Sequence, residues 1–165
     1  MLSTLAPSPA AFDIAWNSPW PSYCKTPVQP PPDFARYGVR TNVNNSFNGA
    51  VVHTIYCPTY FSTFPHFDTT GAAVNGGIPQ RGDLNHHLDQ VRKDVDTLFP
   101  HADYRGYAVI DWEVWVPWLI LASETKYVNE SLAYVRAAHP TWTRDQVDAE
   151  AVASWNATSL SFMTE

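Results

Sequence analysis

Asp111 and Glu113 stand two residues apart, with Trp112 between them, at the end of the apolar run Tyr107-Ala108-Val109-Ile110. A short run rich in β-branched and aromatic residues predicts a buried β-strand. Side chains of a strand alternate between its faces, so the two acids project to one side and Trp112 to the other. Like charges at one strand end do not ionise independently, and one acid can donate a proton while its neighbour stays charged. That division of labour suits cleavage of a glycosidic bond, where an acid protonates the departing oxygen. The same spacing also describes an acidic strand end facing water.

The elements that would position this pair alternate between strand and helix. Residues 11–17 read as a strand, and 18–49 as an irregular, Pro- and Asn-rich connection. Within it Pro30-Pro31-Pro32 is confined to extended backbone. Ala50 to Tyr56 form a second strand by their β-branched content. A loop rich in Thr, Pro and Gly follows, in which Asn75-Gly76-Gly77 reads as a turn. A helix is predicted from Asp83, its N-cap, to Phe99, with Leu84, Leu88, Val91, Val95 and Leu98 on one apolar face. Gly106 opens the third strand, which should run to Glu113. Two helices then span 125–138 and 144–163, separated by His139-Pro140. Tyr127, Leu132 and Val135 mark the inner face of the first; Val147, Val152, Trp155, Leu160 and Phe162 mark that of the second.

Composition narrows the class. One domain is expected from 165 residues, with 45% hydrophobic and 14% aromatic content to fill a core. No apolar run is long enough for a membrane-spanning helix. A formal charge of −6 argues against a general nucleic-acid binder. Met1 to Ala10 lack the basic start of a signal peptide and read as a disordered stretch or the residue of a leader, with 11–165 as the folded part. Three sequons, at Asn44, Asn129 and Asn156, are compatible with a secreted glycoprotein. Cys24 and Cys57 could pair with each other, which spacing alone does not decide.

Other motifs have plainer readings. In Arg81-Gly82-Asp83 the aspartate is better explained as a helix cap than as an adhesion signal. His86 and His87 are adjacent, so on a helix they point about 100° apart and cannot chelate together. His87 reads as a packing or hydrogen-bonding residue, His86 as solvated, and His53 as a core histidine. Nucleophile elbows and Gly-rich phosphate loops are absent from the sequence.

The run Gly106-Tyr107-Ala108-Val109-Ile110-Asp111-Trp112-Glu113-Val114-Trp115-Val116-Pro117 resembles the active-site strand of the hyaluronidases, glycoside hydrolase family 56. Phe12 to Asn17, with Pro19 and Cys24, is similar to that family's first strand and the loop after it. Ile55-Tyr56, Phe64-Pro65, Asn75-Gly76-Gly77-Ile78-Pro79-Gln80, Leu84, His87-Leu88, His139-Pro140-Thr141-Trp142 and Phe162-Met163 follow in the family's order. The resemblance covers roughly residues 12 to 165.

It implies an α/β fold, the N-terminal part of a modified (β/α) TIM-like barrel, incomplete in this chain because a closed barrel takes around 250 residues. It implies endo-hydrolysis of the β-1,4 bond after N-acetylglucosamine in hyaluronan, with chondroitin as a second substrate. Glu113 would be the proton donor, and Asp111 would orient the substrate's acetamido group, whose carbonyl oxygen is the nucleophile. Tyr56 and Trp115 would contact substrate. No cofactor and no metal is implied. Cys24 would pair with a cysteine beyond this chain, and the compartment would be secreted or lysosomal. The alternative is a relative that keeps the fold as a non-catalytic glycoprotein.

Three departures bear on that choice. Val116 stands where the family has arginine, and valine can neither hold charge nor grip substrate. The family's Asn-rich continuation is here Leu119-Ile120-Leu121-Ala122-Ser123. Cys57 follows Tyr56 where some relatives carry an acid. Retention of both Asp111 and Glu113 favours the enzyme.

Overall fold

The computed structural model describes residues 12–17, 33–122 and 124–165. Met1 to Ala10, Cys24 and Pro30-Pro31-Pro32 lie outside the described residues. Among the described residues six short strands and three α-helices follow one another: β1 (Ile14–Trp16), β2 (Val39–Thr41), β3 (Val52–Tyr56), β4 (His66–Phe67), β5 (Ala73–Val74), α1 (Leu84–Leu98), β6 (Tyr107–Asp111), α2 (Thr125–Ala138) and α3 (Arg144–Thr164). They form two compact units. One holds the described residues up to Thr54 together with Asp103–Val109; the other holds Ile55–Ala102 and Ile110–Glu165.

In the first unit β1 and β2 pair in parallel, with Ile14 opposite Val39 and Trp16 opposite Thr41. Asn42 anchors the chain after β2. Its buried amide accepts from the Val51 and Val52 backbone N–H groups and donates to the Val52 carbonyl at 2.8 Å. Within 33–49, the described part of the irregular connection expected over 18–49, β2 and tight turns appear, three residues being too few to leave a period. Tyr107 N–H donates to Val51 O at 2.8 Å, starting the pairing of β6 with β3. A Cβ on Gly106, just before β6, would collide with the Ala50 carbonyl and the Tyr104 ring, so that position needs glycine.

The described strands pair as β1–β2, β3–β6 and β4–β5. β6 is a strand, but it is not buried: Val109 and Ile110 are 40% and 56% exposed. Among the described residues it has β3 on one edge and no strand on the other, so apolar composition alone did not ensure cover.

The second unit carries the larger core. Its α1 begins where expected, with the Asp83 carboxylate accepting from His86 N–H at 3.0 Å. The Asn75-Gly76-Gly77 turn also forms, both glycines having positive φ. The face α1 turns inward holds Leu84, Val91 and Leu98 of the predicted five but is shared with polar residues. His87 is buried, with Leu84, Val91 and Leu98 beside it, while Val95 is exposed. Positions 84, 87, 91, 94 and 98 share that face at spacings of three and four, and its polar members have work. Asp94 accepts from the Phe61 backbone N–H at 2.6 Å.

The last two helices lie where the sequence predicts them. α3 opens on a capping box, with Thr143 and Gln146 exchanging side-chain-to-backbone hydrogen bonds. Small residues, Ser131 on α2 and Ala151 on α3, are fully buried and bring the backbones close, so that the Ser131 hydroxyl donates to Ala151 O. Tyr127, Val135, Val147, Trp155 and Phe162 fill the space around them. Leu160, expected inside, is 49% exposed. The four-residue step from Val147 through Ala151 and Trp155 to Ser159 defines the inner face instead.

Candidate active site

The site lies in the second unit, where β3 and β6 end side by side. Cys57 N–H donates to Asp111 O at 3.0 Å, tying the chain just past β3 to the last residue of β6. Tyr56 is the last residue of β3 and is 43% exposed, not the core tyrosine its strand position allows. Its hydroxyl donates to Glu113 Oε2 at 3.0 Å. That bond and the charge on Glu113, with smaller contributions from burial and from Asp111, hold the Tyr56 phenol above its ordinary pKa. Tyr56 therefore faces both acids and stays a donor throughout the neutral range.

Asp111 is half-buried and Glu113 is exposed. Glu113 borders a cavity of about 60 Å³ with Val114, Val116, Ala122, Glu124 and Tyr127, room for water rather than for a sugar ring. The strand stops at Asp111, so Trp112 and Glu113 belong to the segment beyond it. That segment is fixed from below. Trp115 Nε1 donates to Pro65 O at 2.6 Å, and Trp155 Nε1 of α3 donates to Val116 O at 3.1 Å. The Ser159 hydroxyl donates to Pro117 O at 2.8 Å, and Leu119 N–H donates to Asn156 Oδ1 at 3.0 Å.

Trp115, the other expected substrate contact, borders the same small cavity as Glu113 but is largely buried. It is 4% exposed, packed edge-on against Trp112 and Trp155, with its indole nitrogen committed to Pro65. The resemblance implied a substrate contact for it, and in this structure its ring is turned into the core. Asn156, a sequon asparagine, is half-buried and committed to Leu119, whereas Asn44 and Asn129 are exposed. Cys57 is a buried free thiol, pushed up to about 11 chiefly by burial and then by the Asp111 and Asp94 charges. Arg81 pairs with Glu130, and Asp83 caps α1, so this tripeptide is spent on structure. His53 is only half-buried, and burial pulls its pKa down. Among the described residues no three His, Cys, Asp or Glu side chains gather as a metal site would require. Nor is any described helix long and apolar enough to cross a membrane.

A strand pair presenting an acid couple and a tyrosine at its carboxyl end is the layout of a (β/α)-barrel glycoside hydrolase. The chain belongs to the hyaluronidase family, whose model matches residues 4–165. It is 32% identical over 159 residues to the hyaluronidase of Crotalus adamanteus, an alignment covering 93% of this chain and 34% of that protein. With the hyaluronidase of Echis ocellatus the identity is 30% at the same coverage. Bee venom hyaluronidase, crystallised with a hyaluronic acid tetramer, superposes with a TM-score of 0.73 at 31% identity, covering 92% of this chain and 48% of that one. The fold is thus part of an α/β TIM-like barrel. The chain spans about a third of the length of the curated relatives it matches and about half of the bee venom chain.

Proposed function

We propose that this chain carries the acid site of an endoglycosidase that hydrolyses β-1,4 bonds of hyaluronan, and of chondroitin as a second substrate, without metal or cofactor. The observation that carries this reading is the Tyr56–Glu113 hydrogen bond at 3.0 Å, beside Asp111, at the carboxyl ends of β3 and β6. Glu113 is the proton donor to the departing glycosidic oxygen. It stands exposed to an incoming polymer, and Tyr56 fixes one of its oxygens, leaving the other to protonate the leaving group. Asp111 orients the acetamido group of N-acetylglucosamine and balances the charge that develops on its nitrogen. The acetamido oxygen attacks the anomeric carbon, which gives retention with no carboxylate nucleophile. Tyr56 also borders the substrate.

Export to the outside of the cell fits this reading, and exposed Asn44 and Asn129 are the sequons suited to carry glycan. The disulfide implied for Cys24 belongs to the same reading. A hyaluronan gel assay tests the function: the wild type should clear the gel and Glu113→Gln should not. Equal clearing by both removes Glu113 from the mechanism. No clearing by either favours the non-catalytic glycoprotein, to which Val116 and Cys57 would then belong.

A further inference from the structure

The loop after the acids, Val116-Pro117-Trp118-Leu119-Ile120-Leu121-Ala122, has no task in the chemistry above and carries no charged or amide side chain. Leu119 anchors it in the core at 4% exposure, whereas Trp118, Ile120 and Leu121 are 51%, 81% and 67% exposed. The loop is nonetheless held firmly. Every carbonyl from Val116 to Leu119 accepts a hydrogen bond: from Trp155 Nε1, from the Ser159 hydroxyl, and from the Leu121 and Ala122 N–H groups, which close a 3-10 turn over Leu119–Leu121. Leu119 N–H donates to Asn156 Oδ1, and Pro117 has no N–H to satisfy. Leu119 and Ile120 also line a groove of about 470 Å³ shared with α2 and α3, apolar except for Arg136, Arg144 and Asp148. Both arginines are exposed. Arg136 donates to Trp142 O at 3.4 Å and Arg144 pairs with Asp148 at 3.6 Å, which leaves each guanidinium with further N–H groups to offer.

We propose that Val116–Ala122 is a membrane-surface loop: Trp118, Ile120 and Leu121 enter the interface of a phospholipid bilayer, and Arg136 and Arg144 meet lipid phosphates. Three features select this occupant. Hydrocarbon offers no hydrogen bonds, so a segment that enters it must bring its polar backbone groups already paired, as this one does. A tryptophan beside aliphatic tips suits the bilayer interface, where the ring is apolar in body and wet at its N–H. Guanidinium groups at the edge of the same apolar surface match phosphate in charge and in planar geometry. No described helix is long and apolar enough to cross a membrane, so this loop would rest on the surface without spanning it. Acidic neighbours oppose the arginines: Asp148 stands beside Arg144, and Glu113 and Glu124 border the cavity that Val116 and Ala122 line. The apolar tips therefore carry most of the attachment and the arginines tune it. The proposal stands apart from the catalytic reading; where both hold, Glu113 works next to the lipid surface.

Flotation of the full chain with vesicles tests the loop, using phosphatidylcholine alone and phosphatidylcholine mixed with phosphatidylserine. The wild type should float with both, and better with the anionic mixture at low salt. Ile120→Ser combined with Leu121→Ser alters only exposed side chains, so the fold should stand, while binding to either vesicle should drop about tenfold or more. Arg136→Gln and Arg144→Gln should each lose about fivefold on the anionic vesicles, a loss that shrinks as salt is added. Phosphatidylcholine with brominated acyl chains should quench part of the wild-type tryptophan emission, and that part should vanish in Trp118→Leu. A wild type that floats with neither vesicle, or no better than the double serine variant, would overturn the proposal. So would a chain that does not float but sediments as a dimer dissociated by the serine substitutions, which would give this face to a second copy. Hyaluronan cleavage is read in none of these arms, so failure of the loop and failure of the catalytic reading stay distinguishable.

Discussion

Three side chains, Tyr56, Asp111 and Glu113, make the proposed site, and each can be tested for a separate share of the chemistry. Removing a general acid costs about 10²- to 10⁴-fold in rate, so Glu113→Gln should leave hyaluronan cleavage about a thousandfold down. Asp111→Asn preserves size but removes the charge that, in the proposed mechanism, balances the acetamido nitrogen. A loss of about a hundredfold, carried by kcat, is expected in a reducing-end assay. Tyr56→Phe removes one donor to an exposed carboxylate, worth about 1 kcal/mol, so roughly a fivefold loss should follow. The rate order Tyr56→Phe above Asp111→Asn above Glu113→Gln is the part of this expectation that matters. A Tyr56→Phe protein as dead as Glu113→Gln would mean that the tyrosine touches the reacting atoms rather than the acid alone.

At the scale of elements, the caps carry measurable stability and the pairing of strands carries the geometry. Asp83→Ala and Thr143→Ala each remove an N-cap, and each should cost about 1 kcal/mol in urea denaturation. Thr143→Ala removes only the hydroxyl's half of the capping box, since the Thr143 backbone N–H still donates to Gln146 Oε1, so the two losses should be similar. These helices were legible in the sequence because caps and three-to-four spacings are local signals, and α2 occupies the residues predicted for it. The strand register was not local. Tyr56 and Glu113 are 57 residues apart in the chain, and only the pairing of β3 with β6 brings them together. The third strand was expected to run to Glu113, but two-residue alternation holds only while the strand continues, and it stops at Asp111. On α1 the predicted Leu84, Val91 and Leu98 do pack on the core, but buried His87 and Asp94, which accepts from Phe61, share that face while Val95 is left exposed. Polar residues with a buried task do not announce it in a hydrophobic pattern.

For the molecule as a whole, the titrating groups predict how the fold gives way to acid. The folded-state pKa of His87 is lowered to about 4 from an ordinary 6.5. The unfolded chain therefore binds a proton in a range where the folded chain does not. Stability is full above about pH 6.5, falls as the pH drops, and levels off once the folded state is protonated too, near pH 4. A shift of that size corresponds to about 3 kcal/mol, a large share of what a marginal fold possesses. The exposed acids Asp13 and Asp68 act in a lower window. Hydrogen bonds from the Tyr107 hydroxyl and Arg40 hold Asp13 below its usual range, and those from Thr70 and the Ala72 N–H do the same for Asp68. Their stabilisation is present above about pH 4 and is lost as the pH falls through their lowered values. Thermal melts across pH 7.5 to 3 should thus show two declines in Tm, the first between about 6.5 and 4 and the second below it. His87→Phe keeps the ring packed against Trp112 and Phe162 but cannot titrate, so it should abolish the first decline and leave the second in place. A first decline that survives in His87→Phe would assign it to another group, of which half-buried His53, lowered by burial, is next in line.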